Sequence, residues 1–304
     1  MEQQVLRITR SEDLLKLRAL SKLCSREIFN DVLLLVVAWR RIMEVLELAI
    51  PEEKKVRGKK KKLKIFDACA ALGRACGFVG DIDNARRYYE RAKEGYEEQL
   101  GRDSEKALEV TLLLILATKM SKVKKVEKFR DLLKRCEGAL GEENAVTLET
   151  LNGLGSRLQD SREYEEAKEV YERCLAGQMK VLGEDHKDTL GSLNNLGLVY
   201  SNLENYDKAL LGYFERTFKA KEGLWGETHP ETIMTVMNFA TVNSRLNDYR
   251  RAEELYERAL EGYEAQFEKD HERTMGCAKN FKICLEKSGN SDERLDELTS
   301  PTHR

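Results

Sequence analysis

One register recurs along this chain, and it limits the fold more than any single motif. Thr147, Thr189, Thr232 and Thr274 fall in one column at steps of 42, 43 and 42 residues. Leu154, Leu196, Phe239 and Phe281 keep the same spacing, as do Ala167, Ala209 and Ala252. A period of this size marks a solenoid, in which each repeat buries its apolar face against its neighbours. Within a repeat the pattern reads L-x2-LG-x2-Y/L, then Y-x2-A-x3-Y-x2-A/C. In repeat four, Leu193, Leu196, Gly197 and Tyr200 share one helical face, and Tyr206 and Ala209 open a second helix. The small residues let the two helix backbones approach closely.

The register divides the 304 residues into four segments. Residues 1–50 are expected to be an N-terminal helical segment that caps the array. Leu14, Leu17, Leu20 and Leu23 mark an apolar stripe, residues 32–37 are apolar on most sides, and Pro51 ends the segment. Residues 51–64 read as a basic linker carrying eight cations between Lys54 and Lys64. Such a run can address nuclear import, phosphates or an anionic lipid surface, but no aromatic is interleaved on which a base could stack. The repeats occupy residues 65–287, as about five helix pairs plus a terminal helix. Residues 288–304, opening on Ser288-Gly289-Asn290-Ser291, read as a mobile tail.

Two repeats depart from the pattern. Repeat two, near residues 107–140, keeps the spacing without the consensus. Repeat four takes five steps from Ala209 to Phe214 where repeat three takes four from Ala167 to Tyr171, and a helix absorbs such an insertion as a π-bulge or a local distortion, which Gly212 makes easier. The lone helix of repeat six carries Lys279, Lys282, Glu286 and Lys287 on the polar outer face that a terminal cap requires.

Composition narrows the function classes. A charged fraction of 35% with three prolines suits long exposed helices, and a net charge of −2 gives no global drive toward nucleic acid or acidic membrane. The apolar run at residues 32–39 is far short of the ~20 residues that span a bilayer, and no secretory signal opens the chain. No membrane span is expected, and the expected location is cytoplasmic. Seven cysteines, Cys24 among them, form no C-x-x-C pair. They read as small core residues of a reducing compartment, although Cys69/Cys76 and Cys277/Cys284 each share a helical face. With no G-x-S-x-G, P-loop or H-E-x-x-H, neither catalysis nor a cofactor nor a metal is expected. His186, His229 and His271 align at the inter-repeat turn, one per turn, and are expected to cap or order it. Thr189, Thr232 and Thr274 are the N-cap candidates.

The repeat matches the tetratricopeptide signature. The expected fold is all-α, a tetratricopeptide-repeat superhelical solenoid of antiparallel helix pairs with an N-terminal helical cap. Its period of ~42 exceeds the ordinary 34, and the surplus sits in L-G-E-D-H-K-D-T (182–189) and W-G-E-T-H-P-E-T (225–232). Together with Leu193-Asn194-Asn195-Leu196-Gly197 and Tyr256-Glu257-Arg258-Ala259-Leu260, these segments resemble the tetratricopeptide repeats of kinesin light chains, over about residues 65–287. The resemblance implies a non-enzymatic scaffold that binds an extended peptide segment of another protein in a concave groove. It further implies cargo attachment to microtubule motors, with kinesin heavy chain as a partner. In kinesin light chains a long N-terminal heptad helix makes that junction, and residues 1–50 carry only a few leucine repeats. Sensor arrays of NTPases and unrelated adaptors use the same repeat, which keeps a regulatory region of a larger enzyme, or a generic adaptor, as the alternative.

Candidate contacts lie on the first helix of each pair. Asn195, Asn238 and Asn280 occupy one column there, with Asn152 and Asn194 in the neighbouring one. In the family, asparagines in this L-N-N-L context help hold the backbone of a bound cargo peptide. An amide both donates and accepts, so it can serve a peptide whatever its side chains. Two turns on, Asn202, Arg245 and Lys287 share a column whose cations suit an acidic ligand. The same asparagines could instead stitch adjacent repeats together, and the sequence leaves both readings open.

Overall fold

The computed structural model describes residues 58–268 and 270–291. The N-terminal segment 1–50, the first part of the basic run and residues 292–304 lie outside the described residues. Among those described, every element is helical, and the chain forms two compact parts divided between Met120 and Ser121. The first part contains α1 (Lys59–Phe78), α2 (Ile82–Leu100) and α3 (Glu105–Ala117). The second contains α4 (Lys122–Leu140), α5 (Ala145–Asp160), α6 (Tyr164–Leu182), α7 (Lys187–Asn202), α8 (Glu215–Trp225), α9 (Pro230–Arg245), α10 (Tyr249–Glu264) and α11 (Glu272–Ser288). A π-helical segment, Lys208–Phe214, leads into α8.

The basic run does not stay a linker up to residue 64. Lysine is a good helix former, and the Lys61 and Lys62 N–H groups close on the Gly58 carbonyl at 3.1 and 3.2 Å. α1 therefore starts at Lys59, ahead of the first core residue, Phe66. The core of the first part joins Phe66, Cys69, Leu72 and Cys76 of α1 to Ala85, Tyr88, Tyr89, Ala92 and Tyr96 of α2, with Ala107 and Val110 of α3.

In the second part α5 packs on α6, α7 on the π segment and α8, and α9 on α10, while α11 lacks a second helix among the described residues. The pairs approach at small residues: a Cβ on Gly155 would stand 2.8 Å from the Tyr171 ring, and one on Gly197 would stand 2.8 Å from the Phe214 ring. The first contact spans sixteen residues and the second seventeen, so the inserted residue of repeat four is taken up by the π segment as its spacing predicts. Beyond it the outer register returns. Arg173, Arg216 and Arg258 stand in one column, and each reaches back to a glutamate of the preceding repeat: Glu137, Glu184 and Glu222.

The inter-repeat turns show why the period is long. α4, α6 and α8 end at Gly141, Gly183 and Gly226 with φ of 86°, 88° and 85°, the left-handed region where glycine carries no Cβ penalty. The next helices start at Asn144, His186, His229 and His271. Each imidazole Nδ1 accepts the backbone N–H two residues on at 3.2 Å. The histidines, not the threonines, are thus the N-caps. The threonines fall three residues inside the helix, where the hydroxyl points backward. Thr147 and Thr189 donate to the Gly141 and Gly183 carbonyls at 2.8 Å, and Thr274 donates to the Glu268 carbonyl at 3.3 Å.

Candidate functional site

The first helices α5, α7, α9 and α11 lie side by side in the second part, so their free faces form one surface. The asparagine columns meet on it in pairs. Asn195 Nδ2 donates to Asn152 Oδ1 at 3.1 Å, and Asn238 Nδ2 donates to Asn194 Oδ1 at 3.3 Å. Each bond joins one column of a repeat to the neighbouring column of the repeat before it, so the amides do stitch α5 to α7 and α7 to α9. The two rungs differ in access. Asn194 and Asn238 are 2% and 9% exposed, whereas Asn152 and Asn195 are only half-buried. A primary amide offers two donors and two acceptor sites. One rung bond therefore leaves hydrogen-bonding capacity at Asn152 and Asn195 where another molecule can reach it.

The ladder stops at α11. Met237 occupies the place in repeat five that Asn152 and Asn194 hold in repeats three and four, and the half-buried Asn280 has no hydrogen-bond partner among the described residues. In the lower row Arg245 Nη1 donates to the Ser201 carbonyl at 3.2 Å and to its Oγ at 3.0 Å, which ties α9 to α7. Asn202 is half-buried and Lys287 is exposed in the last turn of α11. Lys287 and Arg245 stand in one column without being joined by a shared partner.

Sequence reasoning passed over the row between these two. Ser156, Leu198, Thr241 and Ile283 repeat at the same period, partly or largely exposed, and supply apolar and hydroxyl contacts beside the amides. The Thr241 hydroxyl donates to the Met237 carbonyl at 3.0 Å and sits 2.9 Å from the Tyr256 hydroxyl. The signal was available, three residues after each Asn195-type position. No pattern pointed to Lys221. It occupies the column of Tyr96, Gln178 and Tyr263 and is fully buried, with its Nζ 3.5 Å from the Glu231 carbonyl and 3.4 Å from Glu231 Oε2. Burial pushes its pKa down, and Glu231 acts against that shift. The buried hydroxyls of Thr217 and Thr232 have no hydrogen-bond partner among the described residues.

The six described cysteines are buried thiols, and burial pushes Cys174 up to about 11 and Cys277 to about 12, away from thiolate formation at neutral pH. Among the described residues no group of three His, Cys, Asp or Glu side chains is placed to hold a metal. No helix among them is long and apolar enough to cross a membrane.

Comparison with known proteins agrees with this geometry. A tetratricopeptide repeat family model matches residues 146–222 and 211–265, and a second tetratricopeptide repeat model matches residues 66–94. No curated protein matches the chain in sequence. The chain is similar in structure to the nearly identical TPR-like repeats of a Podosopora anserina protein named for the kinesin light chains. That match has a TM-score of 0.55 and 19% identity, over 67% of this chain and 98% of that one. It is similar to the Rap conjugation gene regulator of plasmid pLS20 in complex with the Phr* peptide, at TM-score 0.57 and 16% identity, over 98% and 80% of the two chains. It is also similar to a Pyrococcus horikoshii signal transduction ATPase with a tetratricopeptide repeat sensor, at TM-score 0.59 and 15% identity, over 86% of this chain and 38% of that one. At such identities the likeness is one of fold. Repeat spacing, helix pairing and family match together identify the chain as a tetratricopeptide-repeat protein.

Proposed function

We propose that the chain is a non-enzymatic interaction scaffold whose second part binds an extended segment of another protein along the face of α5, α7, α9 and α11. The observation that carries this reading is the half-buried Asn152–Asn195 rung. It is held in place by its own bond, retains donors and acceptors for a peptide backbone, and is flanked by Leu198 for side-chain contact. Asn202, Arg245, Asn280 and Lys287 extend the contact surface along the same helices, while the buried Asn194–Asn238 rung supports it from beneath. On this reading the protein works in the cytoplasm without a cofactor.

The likeness to a peptide-bound Rap regulator supports peptide capture. The likeness to repeats named for kinesin light chains supports a cargo adaptor for microtubule transport, with kinesin heavy chain as the further partner. A second reading, a sensor region of a larger NTPase, draws on the repeat sensor of the Pyrococcus horikoshii protein, only 38% of which this chain covers.

A photo-crosslinking residue placed at Leu198 or Thr241, and as a control at the exposed Glu169 of α6, tests the proposal in a lysate of the source cells. Adducts to the same partner from both first-helix positions, and none from Glu169, are the expected result. Equal labelling from Glu169, or no adduct from either first-helix position, would overturn it.

A further inference from the structure

Among the described second helices, all but one open on an anion. The cap position holds Asp81 ahead of α2, Glu163 ahead of α6 and Asp248 ahead of α10, while Asn205 ahead of the π segment is followed by Asp207. The Asp81 and Asp248 carboxylates each accept the backbone N–H three residues on, at 3.2 Å. A negative charge there suits the positive end of the helix dipole. In α4 the same position is Ser121, whose hydroxyl accepts the Lys124 N–H at the longer distance of 3.4 Å. The first turn that follows carries Lys122, Lys124 and Lys125 and no acidic residue. The end of α5 adds to this charge. Lys122 Nζ donates to the Asp160 carbonyl at 2.9 Å, and Arg157 already matches the Asp160 carboxylate at 3.0 Å. Burial pushes the Lys125 pKa down and Arg157 adds to that shift, with Asp160 acting against it. The start of α4 thus gathers cations where its sister helices place a carboxylate.

We propose that Ser121 is a phosphoryl acceptor, served by a protein kinase that reads lysines on both sides of its target. The serine is exposed, and the backbone is extended at Thr118 and again at Ser121, with φ and ψ of −94° and 128°, then −61° and 152°. Exposed Lys119 precedes it and the three lysines of α4 follow, so an acidic kinase cleft can take the stretch without unwinding a helix. In the transfer Ser121 Oγ forms a bond to the γ-phosphorus of ATP and the bond to the bridging β–γ oxygen breaks. ADP leaves, and the hydroxyl proton passes to the kinase's carboxylate base. The product sets about −1.5 to −2 charges at the cap, in the place that Asp81, Glu163 and Asp248 fill in the sister helices. Lys124, the third residue of α4, then reaches back to the phosphate as the glutamate of a capping box reaches back to its cap.

The test incubates the full chain with ATP and a serine/threonine kinase of basic-residue specificity, then maps phosphate by mass spectrometry. Ser121 is expected to take at least tenfold more phosphate than any other residue, including Ser21 and Ser25, which also adjoin a cation. Lys122→Gln with Lys124→Gln should cut labelling of Ser121 at least tenfold while circular dichroism shows unchanged helix content. A second readout follows the phosphate itself. By phosphorus NMR its second pKa should fall below the ~6 of a free phosphoserine, because neighbouring cations favour the doubly charged form. Lys125→Gln should raise it, and unfolding in urea should return it to ~6. A larger share of phosphate at another residue, none at Ser121, labelling indifferent to the lysine changes, or a second pKa in the folded chain no lower than in urea would overturn the proposal.

Discussion

The second part of the molecule has two ladders that cross the same repeat boundaries with different chemistry. Along the second-helix layer the rungs are ion pairs, Arg173 with Glu137, Arg216 with Glu184 of the inter-repeat turn and Arg258 with Glu222, and each pair neutralises itself. On the first helices the rungs are neutral amides, Asn195 with Asn152 and Asn238 with Asn194. A matched ion pair leaves little for a ligand to gain. A bonded amide pair still has donors and acceptors in reserve. Both ladders hold repeats in register, but only the amide ladder sets donors and acceptors together without charge, the pattern a peptide backbone presents, which is why the proposal places binding on that face.

Both ladders depend on the close approach of the paired helices, and removing it has the largest expected effect. Phe214→Ala would empty the space against Gly197, and we expect a loss of about 3–5 kcal/mol in chemical denaturation, with both ladders failing in repeat four. The buried rung comes next. Asn194→Ala strands the Asn238 amide in a site that is nearly closed to water, at a cost of about 1–3 kcal/mol, while Asn152→Ala, whose partner Asn195 can turn to water, should cost less. Equal losses at the two positions would remove the distinction between a supporting rung and a ligand-facing one.

Lys221 sharpens the comparison between repeats three and four. Repeat three has Gln178 in the same column, and a neutral Lys221→Met should stabilise the protein by about 1 kcal/mol at pH 7, read from the melting curve. The sign of the pH effect follows from burial. The lysine pKa is depressed in the folded state, so the unfolded chain binds more protons between the folded value and the unfolded value near 10.5. Wild-type stability should rise with pH through that window, and the Met variant should lack the rise. The outer ladder has the smallest effect. Arg173→Ala should cost only about 0.2–1 kcal/mol and less still at high salt, because both partners are partly exposed.

Much of this fold could be read in the sequence because its signals are periodic. The 42-residue step predicted the helix pairs, and the five-step interval from Ala209 to Phe214 predicted the π segment. The histidine column predicts an ordered turn, which the imidazole caps supply, whereas the threonine column predicts caps that fall instead at the histidines. A cap is set by where the helix begins, and spacing alone does not separate the N-cap from the third residue of the helix. The amide rungs were harder to read. They run from 152 to 195 and from 194 to 238, each one residue beyond the local step of 42 or 43, so the repeat columns place the partners side by side without joining them. Lys221 was not legible, since burial of a lysine in a column of Gln and Tyr depends on packing from α9. Charge places the end of the linker at residue 64, whereas α1 reaches back to Lys59 because its backbone closes on Gly58.

The most direct measurement compares partner capture by two variants that differ in which ladder's face they alter: Leu198→Glu on the first-helix face, and Arg173→Ala with Glu137→Ala on the outer one. With melting within a few degrees of wild type in both, the account predicts that Leu198→Glu loses the partner that cross-links at Leu198 and Thr241, while the outer double variant retains it. Capture that survives Leu198→Glu and fails with the outer double variant would contradict the assignment of the binding face.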